Sequence, residues 1–207
     1  MTAAAPPRLI LATASAGKAA ELAALLDGLG FVIETLAEHP GVALPPEGAT
    51  SYAENARAKA RVVAAATGAI ALGDDSGLEV DALAGGPSVA SARYGGPGLT
   101  DAARVARLLA AVAGAPSRAA RFRCVLALVA PWGEEATVEG VVEGVLTDEP
   151  RGWGGFGYDP VFLVPELGRT FAELGPAEKD RRSHRGRAVA GARPILARWA
   201  RRARERA

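Results

Sequence analysis

An α/β fold follows from three features of this 207-residue chain. Short apolar runs alternate with stretches of leucine or alanine at helical spacing, and no segment is long or polar enough to serve as a linker between domains. Hydrophobic residues make up 49% and charged residues 23%, which gives a core of useful size. A single domain over residues 1–207 is expected, with 1–7 as a frayed lead-in.

The elements follow in order. Residues 8–13 are an apolar strand, Ala14, Ser15, Ala16 and Gly17 make a tight loop, and Leu22, Leu25, Leu26 and Leu29 then stand at helical spacing. Gly28 and Gly30 close that helix, and 31–33 reads as a second strand. Ser51 and Glu54 have capping-box spacing at the head of an alanine-rich helix that runs to Thr67 and stops at Gly68. Residues 69–72 are a buried strand that ends on Gly73, Asp74, Asp75, Ser76 and Gly77. Thr100 and Asp101 cap a helix to about Val112, 122–130 is a strand, and 138–146 is its partner after a turn at 131–133. Residues 151–160 hold too much glycine for an element interior. Pro176 opens a short helix, and 188–206 forms a last helix interrupted by Pro194.

The net charge of +1 is the sum of two unlike parts. Residues 176–207 carry eleven Lys/Arg against three Asp/Glu, a net of +8, while residues 1–175 carry 13 against 20, a net of −7. This excludes a wholly basic nucleic-acid coat. The lone Cys124 excludes an internal disulfide and a CxxC zinc site. No basic leader precedes the first apolar residues, and no run reaches the ~18 apolar residues a membrane span needs, so a soluble cytoplasmic protein is expected. Residues 198–206 read as a solvated helix end, and His39, beside Pro40, as a loop histidine without chemistry.

Four clusters could carry chemistry. A strand feeding Thr13, Ala14, Ser15, Ala16, Gly17 and Lys18 into a helix start offers backbone N–H groups, the positive end of the helix dipole and a mobile cation to an anion, although the spacing is not that of a P-loop. Adjacent Asp74 and Asp75 repel each other unless a cation separates them, and magnesium fits; a capped Asp-Asp-Ser-Gly turn is the plainer alternative. On an extended backbone the two side chains point to opposite sides. Gly154, Gly155, Phe156, Gly157, Tyr158, Asp159 and Pro160 combine close backbone approach, two aromatic faces and a carboxylate, which suits either a stacked base or a tight turn over a core. Lys179, Ser183, His184 and Arg185 suit a polyphosphate or a solvated helical face.

Taken in order, these pieces resemble the inosine triphosphate pyrophosphatase family, which hydrolyses non-standard purine nucleoside triphosphates. The match runs from Leu9 to about Trp199. It is carried by Leu11-Ala12-Thr13 with Gly17-Lys18, Glu54-Asn55 with Lys59-Ala60-Arg61, Asp74-Asp75-Ser76-Gly77-Leu78 with Val80-Asp81-Ala82-Leu83, Ser91-Ala92-Arg93-Tyr94, Gly155 to Pro160, Glu178-Lys179, and Ser183-His184-Arg185-Gly186. The resemblance implies a mixed twisted sheet with flanking helices, two lobes around a central substrate cleft, a homodimer, and magnesium-dependent conversion of ITP, dITP or XTP to the monophosphate and pyrophosphate. Carried over by position, residues 13–18 and Ser76 hold phosphates. Asp75 is the proton acceptor and a metal ligand, with Glu47 or Asp74 as a second. Phe156, Gly157, Tyr158 and Asp159 hold the base, and Lys179, His184 and Arg185 complete the substrate site.

On this reading Lys18 and Lys179 hold the departing phosphates, and His184 or Arg185 donates to the 6-oxo group that distinguishes inosine from adenine. Two departures stand out. Ala14 and Ser15 replace the family's usual Thr-Gly/His-Asn loop, exchanging an amide for a hydroxyl. Residues 45–52 replace an acidic segment, leaving Glu47 as its one carboxylate. Neither nucleic acid nor membrane is expected as a partner. The alternatives are a Maf-like pyrophosphatase for modified pyrimidine or 7-methylguanosine triphosphates, against which the 155–160 and 183–186 motifs speak, and a nucleic-acid-binding module using the basic C-terminal end.

Overall fold

A computed structural model of the chain describes residues 5–48 and 51–206, so the first part of the 1–7 lead-in and two residues of the 45–52 segment lie outside the described residues. Seven strands form one mixed sheet in the hydrogen-bonded order β2-β1-β3-β4-β5-β6-β7. They are β1 (Arg8–Ala12), β2 (Val32–Thr35), β3 (Ile70–Val80), β4 (Ala119–Val129), β5 (Glu135–Leu146), β6 (Phe162–Val164) and β7 (Arg169–Thr170). The helices are α1 (Ala16–Leu26), α2 (Tyr52–Thr67), α3 (Asp101–Ala111), α4 (Pro176–Arg182) and α5 (His184–Glu205). β1 pairs in parallel with β2 and β3, whereas β6 pairs antiparallel with β5 and β7.

The chain divides into two compact units, one of residues 1–75, 124–140 and 187–207, the other of 76–123 and 141–186. In the first unit the two-residue period of the strands sorts side chains onto opposite faces. Leu9, Leu11, Ile70, Leu72, Leu126 and Leu128 pack with Leu22 and Leu26 of α1 and Leu196 and Trp199 of α5. Ile10, Ala12, Ala71, Ala127 and Val129 pack with Ala56, Ala60 and Val63 of α2. That second face is built of small residues, and it lets α2 lie very close. A Cβ on Gly73 would sit 2.0 Å from the Ala56 carbonyl oxygen, so this strand position has room only for hydrogen. The second unit has its own core, in which Leu78, Val105, Leu108, Phe122, Phe162 and Phe171 are buried together.

The caps form largely where the sequence places them. Ser51 accepts from the Glu54 N–H, the forward half of the predicted box, and α2 ends on Gly68 in the left-handed region at φ +64°. Thr100 accepts from the Ala103 N–H at the head of α3. Fully reciprocal boxes occur instead at Thr35 with Glu38 and at Thr170 with Glu173, each opening a single 3-10 turn.

Three expectations are corrected. Strand β3 does not end before Asp74 but continues through Asp75, Ser76 and Gly77 to Val80, because each turn-forming side chain finds a partner on its own side of the strand. Helix α5 begins at His184, four residues before the expected start: Ser183 caps it by accepting from the Gly186 N–H, and Pro194 lies inside it. Pro194 and Ala190, whose carbonyl loses its donor, are both exposed, so water can replace the missing bond. Finally, the C-terminal arginines are not simply solvated. Arg193 and Arg204 donate to the carbonyls of Leu25 and Gly30, and Arg202 pairs with Glu134 and stacks on Trp132.

Candidate active site

In the first unit, the loop from β1 into α1 is pinned by its own hydroxyls. The Ser15 N–H donates to Thr13 Oγ1 at 3.2 Å, and Ser15 Oγ accepts from the Lys18 N–H at 3.4 Å as the helix N-cap. The first-turn N–H groups of Ala16 and Gly17 have no acceptor within the helix and lie where the dipole is positive. Ala14 and Ala16 are exposed, and Thr13 is buried. The Lys18 ammonium reaches Asp74 Oδ1 at 2.6 Å, and the other Asp74 oxygen accepts from the Cys124 thiol at 3.2 Å.

Asp75 faces α2. Its Oδ2 accepts from Asn55 Nδ2 at 2.9 Å, and its Oδ1 lies 3.5 Å from the Lys59 ammonium. Lys59 Nζ also donates to Glu47 Oε1 at 2.5 Å and to the Asp74 carbonyl at 3.0 Å. Asn55 both accepts from the Gly48 N–H and donates to its carbonyl, tying the segment that carries Glu47 to α2. Asp74 is fully buried and Asp75 is 2% exposed. Burial pushes the Asp75 carboxyl above the ordinary aspartate range, against the pull of Lys59 and the Asn55 hydrogen bond.

This donor set suits a hard cation. Glu47, Asp75 and the Asp74 carbonyl present oxygen atoms around a single positive charge, the chemistry magnesium accepts. Among the described residues no three carboxylate, imidazole or thiol groups converge as a cage. Magnesium does not need one, because it is commonly held by one or two carboxylates together with substrate phosphates.

In the second unit, the glycine-rich loop is gathered around Asp159. Its Oδ2 accepts from the Phe156 N–H at 2.8 Å and from the Lys179 ammonium at 2.5 Å. Gly155 sits at φ +71°, and a Cβ there would lie 2.0 Å from that same oxygen, so the close approach requires glycine. Lys179 lies 4.9 Å from the Phe156 ring centre, and the Arg185 guanidinium 5.8 Å from it. Arg185, 1% exposed, donates to Ser76 Oγ at 3.0 Å. The His184 ring stacks on Phe122 at 4.6 Å. Tyr158 has its ring in the core, and its hydroxyl donates to the Ser91 carbonyl at 2.9 Å. Burial holds that phenol well above its ordinary value.

The structure thus gathers Thr13 to Lys18, Glu47, Asp74 and Asp75 in one unit, and Ser76, Phe156, Gly157, Tyr158, Asp159, Lys179, His184 and Arg185 in the other. The sequence reading left Asn55, Lys59 and Cys124 out of the site. A signal for Lys59 was present in composition: of 24 basic residues only Lys18, Lys59 and Lys179 are lysines, and each meets an aspartate of these two groups. Arginine, with its planar fork, supplies the other cations, while the compact ammonium is kept for these crowded carboxylates. Asn55 and Lys59 stand four residues apart on one face of α2, and both are buried.

The family model of the Ham1 family matches residues 9–195. The chain belongs to the Ham1 family. A dITP/XTP pyrophosphatase of Gloeobacter violaceus is 55% identical to the Ham1 chain over 181 residues, covering 87% of this chain and 90% of that protein. One of Thermus thermophilus is 50% identical over 184 residues, covering 88% of each. Among solved structures, a HAM1 protein from Coxiella burnetii superposes with a TM-score of 0.81 at 40% identity, covering 93% of this chain and 99% of that one. A nucleoside-triphosphatase, or dITP/XTP pyrophosphatase, from Mycobacterium abscessus gives 0.72 at 44% identity, covering 89% and 97%.

Proposed function

We propose that this Ham1 chain hydrolyses non-standard purine nucleoside triphosphates, ITP, dITP and XTP, to the monophosphate and pyrophosphate, removing them from the nucleotide pool. The observation that carries the reading is the pairing of Lys18 and the buried Lys59 with the buried Asp74 and Asp75, in a chain about half identical to dITP/XTP pyrophosphatases.

Each part has an assignable task. The first turn of α1 and Lys18 receive phosphate oxygens, with Ser76 as a further phosphate contact. Asp75 and Glu47 would hold magnesium, which when bound neutralises phosphate oxygens and lowers the barrier to anhydride cleavage. Asp75 takes the proton of the water attacking the α-phosphorus, and Asn55 and Lys59 fix the direction of its two oxygens. Asp74, engaged by Lys18 and Cys124, orients the lysine.

Phe156 supplies the stacking face for the base, and Lys179 with Asp159 sets the position of that face. His184 and Arg185 offer the donor that a 6-oxo purine accepts and an adenine amino group does not. Tyr158 supports the loop from below. The reading includes a cytoplasmic homodimer of one folded domain; none of the described helices is long and apolar enough to cross a membrane. Pyrophosphate release with magnesium from ITP, XTP and dITP beside ATP, GTP, UTP and 7-methyl-GTP tests the assignment. Preference for any but the inosine and xanthosine nucleotides would overturn it.

A further inference from the structure

Residues 155–159 are held from three directions. The Phe156 N–H donates to Asp159, the Tyr158 hydroxyl donates to the Ser91 carbonyl, and the Gly157 N–H donates to Asp101 Oδ2 at 2.7 Å. The first bond is internal to the loop. The second comes from a partner whose own side chain is spent: Ser91 Oγ accepts from the Leu78 N–H and donates to the Ser88 carbonyl. The third is different in kind. Asp101 is an exposed carboxylate 56 residues away in sequence, in the first turn of α3.

An aspartate there is ordinarily explained by the helix dipole and the unpaired N–H groups of that turn. Here Thr100 already caps the helix, and the carboxylate turns outward to another segment. Its mount is stiff. Val105 and Leu108 are buried under α3, and Arg104 on the same helix donates to the carbonyls of Tyr94 and Leu99, fixing the glycine-rich turn that leads into it. The 2.7 Å length is that of a charge-assisted bond.

We propose that Asp101 is a positioning residue for base recognition: through the Gly157 N–H it sets the height of the loop that carries Phe156. This rests on the functional reading above, in which Phe156 stacks on the purine. The substrate's base, not its phosphates, would therefore feel the loss of Asp101.

Two variants in the full chain separate the roles. Asp101→Asn keeps an acceptor oxygen for Gly157 but removes the charge, and Asp101→Ala removes both. A role in helix electrostatics predicts equal effects, whereas anchoring predicts that only alanine acts. The expected result is a KM for ITP raised about 3- to 10-fold in the alanine variant, with kcat within about twofold and the asparagine variant close to wild type. Calorimetric binding of IMP should weaken by the same factor. Amide hydrogen exchange over 155–159 provides a readout independent of activity: protection at Gly157 should fall in the alanine variant and persist with asparagine. Equal KM values for the two variants, or unchanged exchange at Gly157, overturns the proposal. A wild-type protein that turns over no inosine or xanthosine triphosphate while the exchange pattern holds would instead place the failure in the functional reading.

Discussion

The carboxylate group of the first unit and the glycine-rich loop of the second hold their chemistry in different ways. Asp74 and Asp75 stand in the middle of a long strand, and their partners Lys18, Asn55 and Lys59 stand on helices, so regular structure fixes these side chains and two ammonium groups answer the charge. Phe156 and Gly157 stand on irregular backbone, and their N–H groups are tied to the carboxylates of Asp159 and Asp101. A position that must hold charge on a reacting water needs stiffness and a low dielectric. A position that must accept a flat ring needs only correct spacing, which a few backbone bonds can set. Damage to the first group should therefore appear in turnover and stability, and damage to the second in affinity.

The largest break in that comparison is Asp75→Asn. Loss of a proton acceptor is expected to reduce kcat about 10²- to 10⁴-fold while leaving the fold intact, measured as pyrophosphate release beside a thermal melt. Wild-type turnover would remove Asp75 from the chemistry. Next is Lys59→Met, which leaves the buried Asp75 and the half-buried Glu47 without their shared cation. Removing one member of a buried ionic group costs about 3 kcal/mol, and denaturant unfolding should show a loss of that order. A variant as stable as wild type would mean that water reaches this group freely.

A pair of glycine replacements sharpens the contrast. Gly73→Ala puts a methyl group against the backbone of α2, which cannot yield without moving Asn55 and Lys59 on the same helix, so a stability loss of about 1–3 kcal/mol should accompany a fall in kcat. Gly155→Ala meets the Asp159 side chain within the loop itself and no element outside it, at a positive φ that costs about 1 kcal/mol, and should act mainly on KM. If both variants shifted kcat alike, the division between stiff chemistry and adjustable recognition would not hold.

That division also explains what the sequence revealed and what it concealed. The strands around Leu9 and Leu126 and the caps at Ser51, Thr100 and Gly68 were legible because each depends on local spacing. The pairing of Asp74 and Asp75 with cations was legible as a need, since adjacent buried acids require one. Its partner Lys59 was legible only as one of three lysines and not by position, because α2 brings it there from fifteen residues away and nothing local marks a lysine on an alanine-rich face as buried. The passage of β3 through Asp74 to Gly77 was hidden by turn-forming composition that tertiary partners override. Strands β6 and β7, of three and two residues, are too short for any period to show. Arg202 and Arg204 looked solvated because their acceptors, Glu134 and the Gly30 carbonyl, belong to distant segments.

The smallest expected effect tests whether burial, and not charge pairing alone, distinguishes the Lys59 group. Glu34 of β2 also sits in a three-part ionic arrangement, accepting two bonds from Arg8 at 2.7 and 2.9 Å and meeting His39 Nε2 at 2.7 Å. The Arg8 guanidinium, helped by His39, holds the Glu34 carboxyl down at about 2, against an ordinary 4.5. A carboxyl depressed on folding stabilises the protein above its unfolded value and loses that contribution as pH falls through the folded one, here between about 4.5 and 2. The Arg8 side chain is 45% exposed, so water and salt screen the pair, and the contribution should not exceed about 1 kcal/mol. Arg8→Gln should flatten the pH dependence of unfolding below pH 4.5 by that amount and leave stability at pH 7 lower by the same amount. A loss as large as that of Lys59→Met would show that the surface triad is as strongly coupled as the buried one, and that burial does not set the two apart.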